Sequence, residues 1–314
     1  MVPTSPFAST SAASRDLPLI EPARVAELPR GLPAFIELGK PGVAGLVIVT
    51  SLCGALTASQ PIGLGKLLLS LIGTCAVVAA ANGMNMWMER DADALMRRTR
   101  NRPLPTGRVT PRAALLFCAA CSVVGLSLLA FCVGALPTAL TAAALISYVL
   151  AYTPLKRITP LALFVGAIPG AIPPLIGWAS AAGSLSTLAW LEFAVLFVWQ
   201  LPHSLAIAIF RRDDYARAGM RVLPVARGVR RTKIEIVLYS WLLVAVSLLP
   251  VGLGLTGMGY AVVAITCGLL FLALATAGLS VHDDERWARR VFFASLPYLV
   301  IVLGALAVFS SAGS

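Results

Sequence analysis

Residues 82–107 read NGMNMWMERDADALMRRTRNRPLPTG, and this stretch decides how the rest of the chain is understood. It begins inside an apolar run of membrane-helix character. Three acids then fall within five residues (Glu89, Asp91, Asp93), followed by Arg97, Arg98, Arg100 and Arg102, with Arg90 among the acids. Carboxylates at the end of a membrane helix are costly to desolvate and so mark function by default. If the helix continues to Asp93, then Asn85, Glu89 and Asp93 recur every four residues and fall within about 80° of one face. One amide oxygen and two carboxylates on a single face suit Mg²⁺, which takes hard oxygen ligands and leaves positions for substrate phosphate. The arginines just beyond would meet the same phosphates.

Working outward, composition supports the membrane reading. Of 314 residues 58% are hydrophobic and only 12% charged, with a mean hydropathy of +0.86. That is too apolar for a soluble domain. The net charge of +11 does not point to nucleic acid, because the arginines sit in short loops between apolar spans. All six cysteines lie in apolar runs, where Cys packs as a small side chain. Cys118 and Cys121 form a CxxC with no second pair or nearby His, a weak metal or redox signal.

Residues 1–32 form a Ser-, Ala- and Pro-rich tail with mixed charges and are expected to be disordered. Residues 33–314 form the single membrane domain. It opens with a short interfacial helix over 33–41, followed by nine apolar runs at about 42–60, 67–88, 113–136, 138–152, 161–182, 187–209, 235–255, 258–280 and 291–311. With nine spans, the tail carries four Lys or Arg, and the loops after spans two, four, six and eight carry seven, two, eight and three. Only Lys66 lies on the other side. The positive-inside rule then places the N-terminus in the cytoplasm and the C-terminus outside. The fold expected is all-α and polytopic, with nine transmembrane helices around a central cavity.

The loops after spans two and six repeat one order of features: apolar helix, acids, arginines, Pro-containing turn. In the second, His203 and Asp214 are eleven residues apart and share a face if the helix runs on. Asp214 would then stand at the cytoplasmic mouth opposite Glu89 and Asp93, with His203 about 16 Å deeper. His203 is either a core histidine bonded to a backbone carbonyl or a ligand or substrate contact. Lys156 and Arg157, in a short loop stiffened by Pro154 and Pro160, could close over a phosphate. His282 with Asp283, Asp284 and Glu285 reads as a solvated loop. The whole describes a wet, acidic mouth above an apolar chamber, suited to a magnesium diphosphate and a long hydrocarbon.

The pattern Asn85-x3-Glu89-x3-Asp93 with Asp214 resembles the UbiA superfamily of intramembrane prenyltransferases, nine-helix proteins with two acid-rich loops. Within it, residues 35 to about 300 are similar to the protoheme IX farnesyltransferase (heme O synthase) branch. The similarity rests on Asn85–Asp93, Met96–Gly107, Tyr152–Thr159, Gly166–Trp178, Trp199-Gln-Leu-Pro-His203 and Asp214–Gly219. Two residues depart from the pattern: Glu89 stands where Asp is usual, and Ser204 where a bulky aromatic is usual. The resemblance implies Mg²⁺ held by Asn85, Glu89, Asp93 and Asp214, with Arg98, Arg102, Lys156 and Arg157 on the diphosphate of farnesyl diphosphate. It implies a chamber lined by Trp87, Tyr148, Trp178 or Trp199, and heme B, touched by His203, as acceptor. The product would pass to a terminal oxidase assembly or heme A synthase, and the membrane would be a bacterial plasma membrane in preference to a mitochondrial inner one. Two other readings stand beside it: a UbiA-type transferase with a quinone-precursor acceptor, and a secondary transporter of an anionic substrate.

Overall fold

The structure is a computed structural model that describes residues 28, 30–58 and 60–310. The disordered-tail expectation for residues 1–32 falls almost entirely outside them. Helices make up most of the described chain. They are α1 (Leu32–Gly39), α2 (Pro41–Thr57), α3 (Leu64–Leu95), α4 (Pro111–Cys132) and α5 (Ala135–Leu155), then α6 (Ala162–Ala171), α7 (Pro173–Ala182) and α8 (Thr187–Phe210). After α8 come two short helices, α9 (Arg212–Arg217) and α10 (Leu223–Ala226), and then α11 (Val229–Gly252), α12 (Met258–Ala277) and α13 (Asp284–Ser310). Among the described residues eight helical segments are long and apolar enough to cross a membrane, and a ninth arises if the bent pair α1–α2 counts as one span.

Local chemistry explains where these helices start and break. Thr110 caps α4, its Oγ1 accepting the Ala113 N–H at 3.2 Å, with Pro111 in the first turn. Ser186 does the same for α8 through Ala189 N at 3.4 Å. Pro41 disfavours helical backbone at Lys40, and α1 and α2 meet there at a 51° bend. The fifth expected span is two helices, α6 and α7, broken at Ile172 before Pro173 and Pro174.

Consecutive helices pack side by side, and α13 returns to α2 to close the ring, with α7 and α8 the most enclosed. The crossing of α2 over α7 is close because Gly177 faces the Ser51 carbonyl and Gly54 the Pro174 carbonyl. A Cβ at either position would collide with backbone, so small residues set this contact.

One expectation needs correction here. The helix does not run on from His203 to Asp214: α8 ends at Phe210, Arg211 adopts φ −115° and ψ 13°, and α9 starts afresh at Arg212. A common face therefore cannot be assumed for the two residues.

Candidate functional site

Helix α3 does continue past the acids to Leu95, so Asn85, Glu89 and Asp93 share a face, and all three are buried. Carboxylates at a helix C-terminus oppose the macrodipole and are unfavourable without cations. Two cations arrive from elsewhere in the chain. Arg102 Nη1 donates to both oxygens of Asp93 at 2.9 and 2.8 Å. Lys156 Nζ reaches Glu89 Oε2 at 2.5 Å. Asn85 donates to Glu89 Oε2 at 3.1 Å and to Thr153 Oγ1 at 3.3 Å, while its own oxygen accepts from Lys40 Nζ at 3.3 Å. Glu89 Oε1 is buried and has no hydrogen-bond partner among the described residues.

The facing wall comes from α5. Over Ser147–Tyr152 its backbone is π-helical, and Thr153 N–H bonds back five residues to the Tyr148 carbonyl. Such turns recur at functional sites. The Tyr148 and Tyr152 rings lie 5.3 Å apart, and the Lys156 ammonium sits 5.3 Å over the Tyr152 ring. Between the walls lies a cavity of about 310 Å³, bordered by Asn85, Glu89, Asp93, Arg98, Arg102 and Lys156. Lys40, Tyr148, Tyr152, Ser204 and Tyr215 also border it. Burial raises the Tyr215 phenol above its usual range, which keeps it a neutral O–H donor. A second cavity of about 170 Å³, almost wholly apolar, adjoins the first, and Lys40, Val43 and Tyr148 border both.

Several residues expected here lie elsewhere. Asp214 does not border the cavity: its Oδ1 accepts the Arg97 N–H at 3.2 Å and pairs with Arg217. It thus anchors the chain about one turn past Asp93, joining α9 to the end of α3. Arg157 turns outward and donates to the Met88 carbonyl at 3.0 Å. Of the aromatics named from the sequence, Tyr148 alone borders either cavity; Trp87, Trp178 and Trp199 do not. Asp284, expected in a solvated loop, pairs with Lys233 of α11.

His203 packs toward α13, its ring 4.5 Å from Trp199 and 4.8 Å from Phe292. Its Nδ1 is 2.7 Å from Ser295 Oγ, which itself donates to the Phe292 carbonyl at 2.6 Å. A serine has one hydroxyl proton, so Nδ1 must be the donor, and Nε2 keeps an unprotonated lone pair. Such an imidazole can accept a hydrogen bond or ligate a metal. Ser295 also accepts Trp199 Nε1–H on its carbonyl at 2.7 Å, so one residue of α13 orients both ends of the Trp199–His203 block.

No group of three His, Cys, Asp or Glu side chains converges as a metal site among the described residues. The donor set nevertheless fits Mg²⁺ bound partly through substrate phosphates. It offers hard oxygens along one wall and an unpartnered buried oxygen on Glu89.

The sequence assigned no role to Lys40, Tyr152 or Tyr215. Gly166 offers a test of Tyr152, because a Cβ there would lie 2.5 Å from the Tyr152 ring. Gly166→Ala is expected to push the ring into the cavity. Its cost should be about 1–3 kcal/mol of stability, with catalytic efficiency falling about tenfold, equivalent to about 1.4 kcal/mol. Thermal melting and steady-state kinetics measure the two effects, and unchanged kinetics would remove Tyr152 from the site.

The chain matches the model of the UbiA prenyltransferase family over residues 46–296. It is 51% identical to a protoheme IX farnesyltransferase of Sorangium cellulosum, over 77% of this chain and 87% of the relative. It is 47% identical to a protein of the same name from Anaeromyxobacter sp., over 87% and 92% of the two chains. Among solved structures, a digeranylgeranylglyceryl phosphate synthase superposes with a TM-score of 0.74 at 20% identity, covering 90% of this chain and 99% of the other. A UbiA homologue from Archaeoglobus fulgidus bound to GPP and Mg²⁺ gives 0.65 at 17% identity, covering 87% and 99%.

Proposed function

The chain belongs to the UbiA prenyltransferase family, and from that premise we propose that it transfers the farnesyl group of farnesyl diphosphate to a vinyl group of heme B, forming heme O. It is a multi-pass membrane prenyltransferase. The observation that carries the reading is the charged cavity set beside an apolar one, with Lys40 and Tyr148 bordering both. A diphosphate suits the first and an isoprenoid chain the second. The choice of heme as acceptor is supported by the names of relatives that match most of this chain.

Asn85, Glu89 and Asp93 would hold Mg²⁺ against the diphosphate, with Asp214 supporting from the second acid-rich loop through the backbone that follows α3. When bound, the ion supplies Lewis-acid stabilisation of the charge that builds on the departing diphosphate. Arg98, Arg102 and Lys156 would neutralise the same charge, and Arg157 would hold the end of α3 through the Met88 carbonyl. Arg102 and Lys156 start paired with Asp93 and Glu89, so binding exchanges carboxylate partners for phosphate. Tyr148 and Tyr152, which border the charged cavity, would offer π density to a nearby allylic cation, and the apolar chamber would keep water from it. Attack by the vinyl carbon on C1 of the farnesyl cation, followed by water, yields a hydroxyethylfarnesyl group.

His203 would contact the heme through Nε2. His203→Ala is expected to weaken heme binding about tenfold or more, as loss of one charge-free ligand or strong hydrogen bond would, and to alter the Soret band of the bound heme. An unchanged spectrum and affinity would remove the role.

The N-terminus and both acid-rich loops would face the cytoplasm of a bacterial cell, with nine spans and the C-terminus outside. The product would pass to a terminal oxidase assembly or heme A synthase. Proteoliposomes test the reaction class: diphosphate release that requires an acceptor supports the transferase, whereas transmembrane flux of the intact anion would favour a transporter.

A further inference from the structure

Lys40 is the one non-glycine residue with positive φ among the described residues (φ 52°, ψ 72°). Pro41 explains why the helix breaks at this point, but not why a lysine occupies a conformation that glycine or asparagine adopts more readily. Strained backbone of this kind points to a function that the surrounding structure maintains.

Its position suggests what that function is. Lys40 borders both the charged and the apolar cavity, a property it shares only with Val43 and Tyr148 among the residues bordering the two. Lys156 and Arg102 are each held by a carboxylate. The Lys40 ammonium instead bonds the neutral amide oxygen of Asn85 at 3.3 Å, and among the described residues no carboxylate forms an ion pair with it.

If the diphosphate occupies the charged cavity and the isoprenoid chain the apolar one, the bond between C1 and the bridging oxygen lies at their junction. We propose that Lys40 is a catalytic residue there, its ammonium donating a hydrogen bond to the bridging oxygen as the C1–O bond breaks; this rests on the prenyltransferase reading above. The electron pair of the bond passes to that oxygen, the positive charge stays on C1 until the acceptor vinyl group attacks, and Lys40 keeps its proton. Its charge is needed most in the transition state, when the oxygen becomes negative. Tyr148, the other polar residue at the junction, faces the same bond from α5.

The test is kinetic and uses three full-length variants in liposomes with Mg²⁺, farnesyl diphosphate and heme B. Lys40→Met is expected to lower kcat about 100-fold. Its affinity for farnesyl thiolodiphosphate, which binds but ionises poorly, should stay within about threefold, as expected for an interaction made mainly in the transition state. Lys40→Arg, which retains the charge, should recover about tenfold of the loss. Lys40→Asn, which tolerates the left-handed backbone but carries no charge, should recover none.

Full activity in Lys40→Asn would assign Lys40 to the backbone turn alone and overturn the proposal. So would a Lys40→Met enzyme with unchanged kcat, or one whose loss lies wholly in analogue affinity. If Lys40→Met fails to insert, the Arg and Asn variants decide between charge and backbone. A wild-type protein that releases no diphosphate under these conditions would overturn the parent reading instead.

Discussion

Asp93→Asn is expected to lower Mg²⁺-dependent diphosphate release about 10³-fold or more while leaving the protein inserted and folded. Removing one negative oxygen donor from a magnesium diphosphate costs several kcal/mol of transition-state stabilisation, and about 4 kcal/mol corresponds to that factor. The fold should survive because asparagine keeps an oxygen for Arg102, and the Thr99 hydroxyl bonds the backbone carbonyl of residue 93, not its side chain. Diphosphate release across a Mg²⁺ titration measures the effect, with circular dichroism and elution volume in detergent reporting the fold. Activity within threefold of wild type would remove Asp93 from the reaction.

Arg102→Leu should reveal the same site through stability. The Asp93 side chain is 1% exposed and that of Arg102 16%. Deleting the guanidinium strands a buried carboxylate, at a cost of about 3 kcal/mol or more. A divalent cation can take over the missing partner's charge, so the variant should melt well below wild type in chelator and recover part of the difference in millimolar Mg²⁺. Turnover should fall about 10²-fold, through lost neutralisation of the leaving group. Equal melting temperatures for variant and wild type in chelator would show that the pair does not restrain the site. A deficit that Mg²⁺ leaves untouched would argue against metal binding at Asp93.

The four-residue spacing of Asn85, Glu89 and Asp93 made their common face readable, because α3 obeys helical periodicity through its last turn. Their resting partners were not readable. Lys156 is 67 residues from Glu89 in sequence and meets it only because the ring of helices brings α5 beside α3. The second acid-rich loop shows the limit of periodicity most clearly. Arg211 breaks the helix with neither Pro nor Gly to announce it, and Asp214 then turns to the backbone of Arg97 behind the cavity wall.

Lys40 had a local signal in the Pro that follows it, which marks a break. Its place at the junction of two cavities depends on Tyr148 and Asn85, which only the packed chain brings near. Of the aromatic lining, Tyr148 was legible and the tryptophans were not cavity residues, for a related reason. Tryptophans are conspicuous in an apolar sequence, yet Trp199 is spent on Ser295 and His203, whereas Tyr148 and Tyr152, which border the charged cavity, lie on a π-helical turn whose register a 3.6-residue repeat does not describe.

Mass analysis of heme after incubating the purified protein with heme B, farnesyl diphosphate and Mg²⁺ tests the proposed reaction most directly. Heme carrying one added farnesyl group and one hydroxyl, formed together with one diphosphate and absent in Asp93→Asn, is the expected result. Unmodified heme beside consumed farnesyl diphosphate, or farnesyl found only on another acceptor, would contradict it.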